Sequence, residues 1–500
     1  MADHLSSVFT SLRGSSSTEG QLASVPEEST IGFTDAFGPP PNSYRDSIRR
    51  VSVLFPEWRI RSTLSSQSDQ SGSNYDSSSS VASRYNNSGN SSGSASVGGA
   101  DLGTSELMKI AHRMVNDGYT QRMVRAFHST SLTETIGPDP VLKNWFVELD
   151  VDWVLQLRPQ LQLQKATAYW LQELVQRWIR ALALIVASIK VMIYTIQEAP
   201  AVARFGEASI SAMLGVVDTM LDVIEEDKLQ VALHMYMCVS SASYMIMMMP
   251  VVSLEAQRIF DEISASLKTE ENRLVEAVSS TMMNIRIDYD EISWDIEIER
   301  NGGGIHTKIR FLVDCILSMR KACASTLKSA QSQSTVELRD AIDGTTEYLL
   351  DQLLGDSEWF SDPSLRSMFL LNNSNFVAQL LGIELTTECE KYKDFYLHFS
   401  WAHVLSYIQN WNSPGLQRRW VHTSPLAKFK SAFHKTYQTQ KFWKVPDPQL
   451  RDELRRAIIE RVISRYRDYL KEHPELAEQV SRGSNSPEVL EEMLEELFEG

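Results

Sequence analysis

A chain of 500 residues with 43% hydrophobic side chains can bury a large core, and a rough rule of about 150 residues per domain gives it up to three domains' worth of material. The formal charge of -16 argues against general nucleic-acid binding, because a polyanion is repelled by most of such a surface. The four cysteines, Cys238, Cys315, Cys323 and Cys389, are widely spread without CxxC or zinc spacing, and read as reduced thiols of a cytosolic protein.

Residues 1–103 are dominated by Ser, Gly and Asn, above all from Ser62 to Gly103, and are expected to form a disordered arm. The start carries no basic stretch followed by an apolar run and no Met-Gly acylation signal, so the chain is expected to stay in the cytosol. Inside the arm, Ile48 to Ile60 (IRRVSVLFPEWRI) is locally apolar and basic, as a short docking motif would be. Arg49-Arg50-Val51-Ser52 has the pattern of a basophilic kinase substrate, which makes Ser52 a candidate phosphorylation site. An ordinary tail segment remains the alternative to both.

From Thr104 the periodicity becomes helical and stays so. Leu107, Ile110, Ala111 and Met114 form one apolar stripe, closed by Gly118. Ala166 to Gln197 predicts a longer helix, apolar on nearly all sides after Arg180 and interrupted by Lys190, as in a buried bundle helix. Leu229 to Leu254 carries no formal charge, and its length alone permits a membrane span. Its polar residues, including Gln230, His234 and Ser240, its many methionines and Pro250 favour a core helix. The glycines before Ile305 lack phosphate-loop spacing and predict a hinge. Ile305 to Leu317, Val336 to Leu354, Ser364 to Leu381 and Glu384 to Gln409 then read as successive helices. No alternating β-branched run appears, so the expected fold is all-α, a series of antiparallel helices divided at about residue 300.

The scattered histidines give no catalytic or metal spacing. His398 and His403 are five apart, where HExxH needs four, and no serine elbow or carboxylate pair is recognisable. Neither an enzyme nor a metal or cofactor site is expected.

Leu426 to Leu470 predicts two helices around a proline turn. Phe429, Phe433 and Tyr437 align on the first helix, which is expected to run to Val445 before Pro446. Asp447 should cap the second helix, with Pro448 at its first position and an i+4 stripe from Leu450 to Leu470. Phe395 to Lys471 sums to +9, and the tail from Glu472 to Gly500 to -8. Lys or Arg in such a local reversal would suit an anionic membrane surface. The candidate lipid-binding residues are Arg418, Arg419, Lys428, Lys430, Lys435, Lys441, Lys444, Arg456, Arg467 and Lys471. A solubilising face or a protein-binding face is the alternative.

The order Phe429, Phe433, Gln440, Trp443, Pro446, Asp447, Leu450, Arg451, Glu453, Leu454, Arg455, Tyr466 resembles the C-terminal signature of the exocyst seventy-kilodalton subunit (Exo-seventy) family in its plant form. Tyr396, Ser400 and Trp401, the segment Met368 to Asn373, and Arg177 to Ala181 fit further family elements, and Gly303 to Arg310 fits one loosely. The similarity runs over roughly residues 104–500. The resemblance implies a rod of stacked helical bundles that tethers secretory vesicles to the plasma membrane before fusion, with a basic C-terminal part facing phosphoinositides. It implies other exocyst subunits as partners, with small GTPases or immune regulators as further ones, and a cytoplasmic protein peripheral to the plasma membrane or vesicles. Two departures stand out. The family's paired lysines before Ser486-Pro487-Glu488 are replaced by Ser481 to Asn485, and a Ser-rich arm stands where relatives carry coiled-coil helices. The chain thus reads as shortened and divergent at its N-terminus. An exocyst-independent adaptor for regulatory or immune proteins is the competing reading.

Overall fold

Helix-compatible periodicity is realised wherever the chain is described. The computed structural model describes residues 43–53, 104–130, 139–156, 168–195, 198–224, 228–291, 302–326, 332–409, 424–480 and 485–499. Every regular element among them is a helix, and the single β-bridge pairs Lys444 with Glu499. The first half comprises α1 (Arg45–Arg49), α2 (Thr104–Asn116), α3 (Tyr119–Thr130), α4 (Pro140–Glu148), α5 (Trp153–Gln156), α6 (Ala168–Thr195), α7 (Ala199–Leu214), α8 (Val217–Val223), α9 (Lys228–Met247) and α10 (Leu254–Glu291). The second half comprises α11 (Thr307–Ser325), α12 (Gln333–Ser357), α13 (Pro363–Leu381), α14 (Thr386–Gln409), α15 (Pro425–Gln440), α16 (Pro448–Glu472), α17 (Pro474–Val480) and α18 (Pro487–Glu495).

Local chemistry sets many of these boundaries. Asp139, Asp362, Ser424, Asp447 and Ser486 each accept a bond from a backbone N–H in the first turn that follows, and each precedes a proline, whose missing N–H costs nothing there. Helix α2 ends one residue before Asp117, and Gly118 adopts φ 70 as its N–H reaches Val115 O.

Packing proceeds mainly between neighbours in sequence. α2 and α7 lie against α6, α9 packs on α6, α10 and α11, α10 packs on α12, α13 pairs with α14, and α14 supports α15 and α16. The uncharged stretch therefore forms a helix enclosed by three others, with Leu229 to Ser240 all buried. No described helix is long and apolar enough to cross a membrane. At the C-terminal end, Tyr396, Trp401, Phe429, Phe433, Tyr466, Leu494 and Phe498 share one core. Burying side chains of this size contributes about 1.5–3 kcal/mol each.

Two expectations change. Residues 43–53, inside the stretch expected to be disordered, are docked on the helices because they carry their own apolar anchors: Tyr44, Ile48 and Val53 are buried. The remainder of that arm, and residues 54–60 of the expected docking motif, lie outside the described residues. The glycine turn expected as a hinge is pinned. Gly302 and Gly303 take φ 58 and 77, and a Cβ on Gly303 would lie 3.2 Å from Leu365 and Met368. Asn372 Nδ2 donates to Gly303 O at 2.6 Å and to Lys444 O at 2.8 Å. Asn373 Nδ2 donates to Gly304 O at 3.1 Å and to Phe369 O at 2.8 Å, while its Oδ1 accepts from His306 N at 3.0 Å. Two adjacent asparagines thus lock α13 to the start of α11 and to the turn before α16.

Candidate functional site

The candidate basic residues are displayed by α15, α16 and the turn between them. Phe429, Phe433 and Tyr437 turn α15 inward, and Phe429 stacks on Tyr466 of α16 with centroids 4.7 Å apart. Lys428 and Lys435, two turns apart, consequently share the outward side of α15, about 10 Å apart along its axis. Lys430 lies on the other flank and is half-buried, and desolvation holds its ammonium below the usual lysine range.

Helix α15 stops at Gln440, before the expected end at Val445. The Gln440 carboxamide is engaged by Tyr396 Oη at 2.8 Å, and the chain turns there to bury Trp443 and Val445. Lys441 lies 4.7 Å from the ring centroid of exposed Phe442. Lys444 is fixed by its backbone, its N–H donating to Gly302 O at 3.0 Å, and its side chain is exposed.

On α16 the proposed set divides. Arg456 is exposed. Arg467 is paired with Glu491 at 2.5 Å, and Lys471 with Asp468 at 3.1 Å. The acidic C-terminal helix α18 packs against α16, so part of the negative tail neutralises part of the basic stretch. Arg455 likewise serves the tail, donating to Leu497 O at 2.9 Å and pairing with Glu499 at 3.1 Å. Burial, and then the bond to Glu496, raises the Tyr437 phenol. Arg418 and Arg419 lie outside the described residues.

Two further cations emerge. Arg461 and Arg465 are exposed, four residues apart, and form no ion pair among the described residues. Counting angles from a fixed apolar face places them beside that face. An i+4 series, however, drifts about 40° per step around a helix of 3.6 residues per turn. The buried side therefore moves from Leu450 and Leu454 toward Tyr466 and Leu470, and that rotation releases both arginines to solvent.

Ser52 is exposed on the docked N-terminal segment, well separated in sequence from this surface. Seven cations, Lys428, Lys435, Lys441, Lys444, Arg456, Arg461 and Arg465, thus stand on or between two helices whose inner faces are engaged. Such a surface can hold polyanions by charge without a shaped pocket.

Residues 197–496 match the family described as the C-terminal part of the Exo70 exocyst complex subunit. The exocyst complex component EXO70C1 of Arabidopsis thaliana is 29% identical over 195 residues, covering 34% of this chain and 28% of that relative. EXO70A3 of the same plant is 30% identical over 190 residues, which cover 33% of this chain and 32% of the relative. The matched stretch spans under a third of the length of these relatives. A solved S. cerevisiae Exo70 structure aligns over 79% of this chain and 86% of that one at 10% identity, with a TM-score of 0.37.

Proposed function

This chain belongs to the Exo70 family of exocyst complex subunits, and from that premise we propose that it is a non-enzymatic tether that helps an exocyst assembly hold secretory vesicles at the plasma membrane. The observation that carries the reading is the family match from residue 197 to residue 496, which takes in α7 to α18. In this reading the outward cations of α15, α16 and their connecting turn face phosphoinositide headgroups. Each Lys or Arg near an anionic leaflet is worth about 1 kcal/mol, so four or five engaged together give binding that weakens as salt shortens the screening length to about 8 Å at physiological ionic strength. Exposed Phe442 beside Lys441 would add an aromatic contact at the headgroup level.

Liposome flotation tests the lipid-facing part. The full chain should float with vesicles containing phosphatidylinositol bisphosphate and not with neutral ones. The double substitution Lys435→Glu with Arg465→Glu should cut recovery about tenfold or more. Equal recovery from neutral vesicles, or none from either, would remove this role. The adaptor reading differs in its partners, since an adaptor would emerge from cells without the other exocyst subunits.

A further inference from the structure

The segment Ser43–Val53 is fastened to the helices at both ends. Tyr44 Oη donates to Asp117 at 2.6 Å, its ring lies 5.1 Å from the Arg113 guanidinium, and its backbone N–H donates to Glu148. Arg45 and Arg49 converge with Arg177 on Asp150, whose side chain is 2% exposed. Arg180 donates to Val51 O at 2.9 Å, and Val53 is buried. Ser52, between the last two anchors, is exposed. It lines a groove of about 550 Å³ together with Ser47, Arg50, Glu106, Lys109, Ile110 and Arg113. Lys109 pairs with Glu106 at 2.7 Å, and Arg113 donates to Ser47 Oγ at 3.1 Å. Three cations against one carboxylate leave the groove with surplus positive charge, which Ser47 Oγ and the Tyr44 ring meet at Arg113 without a countercharge.

We propose that Ser52 is a phosphorylation site and that its phosphoryl group seats in this groove, against Arg50, Lys109 and Arg113, locking the N-terminal segment onto the helices. The donor is a nucleoside triphosphate used by a basophilic protein kinase. Ser52 Oγ bonds to the terminal phosphorus as the bond to the departing nucleoside diphosphate breaks, and the hydroxyl proton passes to the kinase. Arg49, three residues before Ser52, is held by Asp150 in the docked state, so the kinase reads the Arg-Arg-Val-Ser sequence when the segment lifts. The added dianion then finds the cations when the segment returns, and charge-assisted bonds convert a transient contact into a lasting one.

The test uses the full chain with phosphoserine genetically encoded at position 52, and follows hydrogen exchange in the peptide spanning residues 43–53. Phosphorylation should slow exchange about tenfold or more. Lys109→Gln should leave the unmodified chain within about twofold of its original rate, because Lys109 bonds Glu106 and no atom of the segment, and should remove most of the gain in the phosphorylated chain. Unchanged or faster exchange on phosphorylation, or a gain that survives Lys109→Gln combined with Arg50→Gln, would overturn the proposal. So would slowing by inorganic phosphate alone, which would assign the groove to a free anion. In a parallel arm, a basophilic kinase with ATP should label the full chain and lose that label with Ser52→Ala. Absence of label at Ser52 counts against the site.

Discussion

Replacing Asn373 with Ala should be among the most damaging single changes in the C-terminal half. Its carboxamide makes three buried bonds, accepting from His306 N and donating to the carbonyls of Gly304 and Phe369. Removing it orphans the His306 N–H and the Gly304 carbonyl in a site closed to water, since Asn373 and His306 are both fully buried. Each orphaned group costs about 1–3 kcal/mol. The Phe369 carbonyl belongs to the interior of α13 and keeps its helical partner, so its loss is small. The total is about 2–6 kcal/mol. Urea unfolding followed by far-ultraviolet circular dichroism and by tryptophan fluorescence measures it, with buried Trp401 and Trp443 reporting on the adjoining core. Gln379→Ala is the control, because its bond to Asp447 is exposed and its loss should stay under about 1 kcal/mol. Asn373→Asp keeps the acceptor for His306 N–H but removes both donations and buries a charge, and should be no milder at neutral pH. If Asn373→Ala costs no more than the control, the asparagine clamp does not hold these helices together.

Three other outcomes follow from particular contacts. Gly303→Ala forces a side chain into φ 77 and against Leu365 and Met368 at 3.2 Å, and should lower stability by about 2 kcal/mol in urea unfolding. Asp150→Ala leaves Arg177 without its carboxylate and removes the shared partner of Arg45 and Arg49. Because both of those arginines reach solvent, the global loss should be about 2 kcal/mol, with hydrogen exchange across residues 43–53 accelerating well beyond it. The pH dependence has opposing parts. Burial lowers His234 and His306 to about 4, so protons bind the unfolded chain better below about 6.5 and the stability these residues contribute is lost as pH falls from there to about 4. Burial raises Glu270 to about 7, so its contribution is complete below about 4.5 and is lost as pH rises through 7. Two histidines outweigh one glutamate, so the unfolding free energy should rise by roughly 3 kcal/mol from pH 4 to 6.5. His234→Gln should remove about half of the histidine part, and an unchanged slope in that variant would contradict it.

The helical class was legible because stripes such as Leu107, Ile110, Ala111 and Met114, or Phe429, Phe433 and Tyr437, record which face is buried, and those faces are buried. Asp447 with Pro448 announced a helix start through a bond made within four residues. What depended on distant partners was hidden. The docked segment sits among low-complexity sequence, and its signal lies in Glu148, Asp150 and Arg180, about a hundred residues away or more. Asn372 and Asn373 could be matched as part of a family segment, but their partners at Gly303, Gly304 and Lys444 exist only once the helices have packed. The same holds for the basic surface. Charge counting found the stretch, yet packing against α18 neutralised Arg467, and the drift of the apolar stripe exposed Arg461 and Arg465.

Whether this chain works as a subunit of an exocyst assembly is decided by tagging it in its own cells and quantifying co-purified proteins by mass spectrometry. Other exocyst subunits should be recovered in amounts comparable to the bait. A bait that returns with other proteins and without those subunits would contradict it.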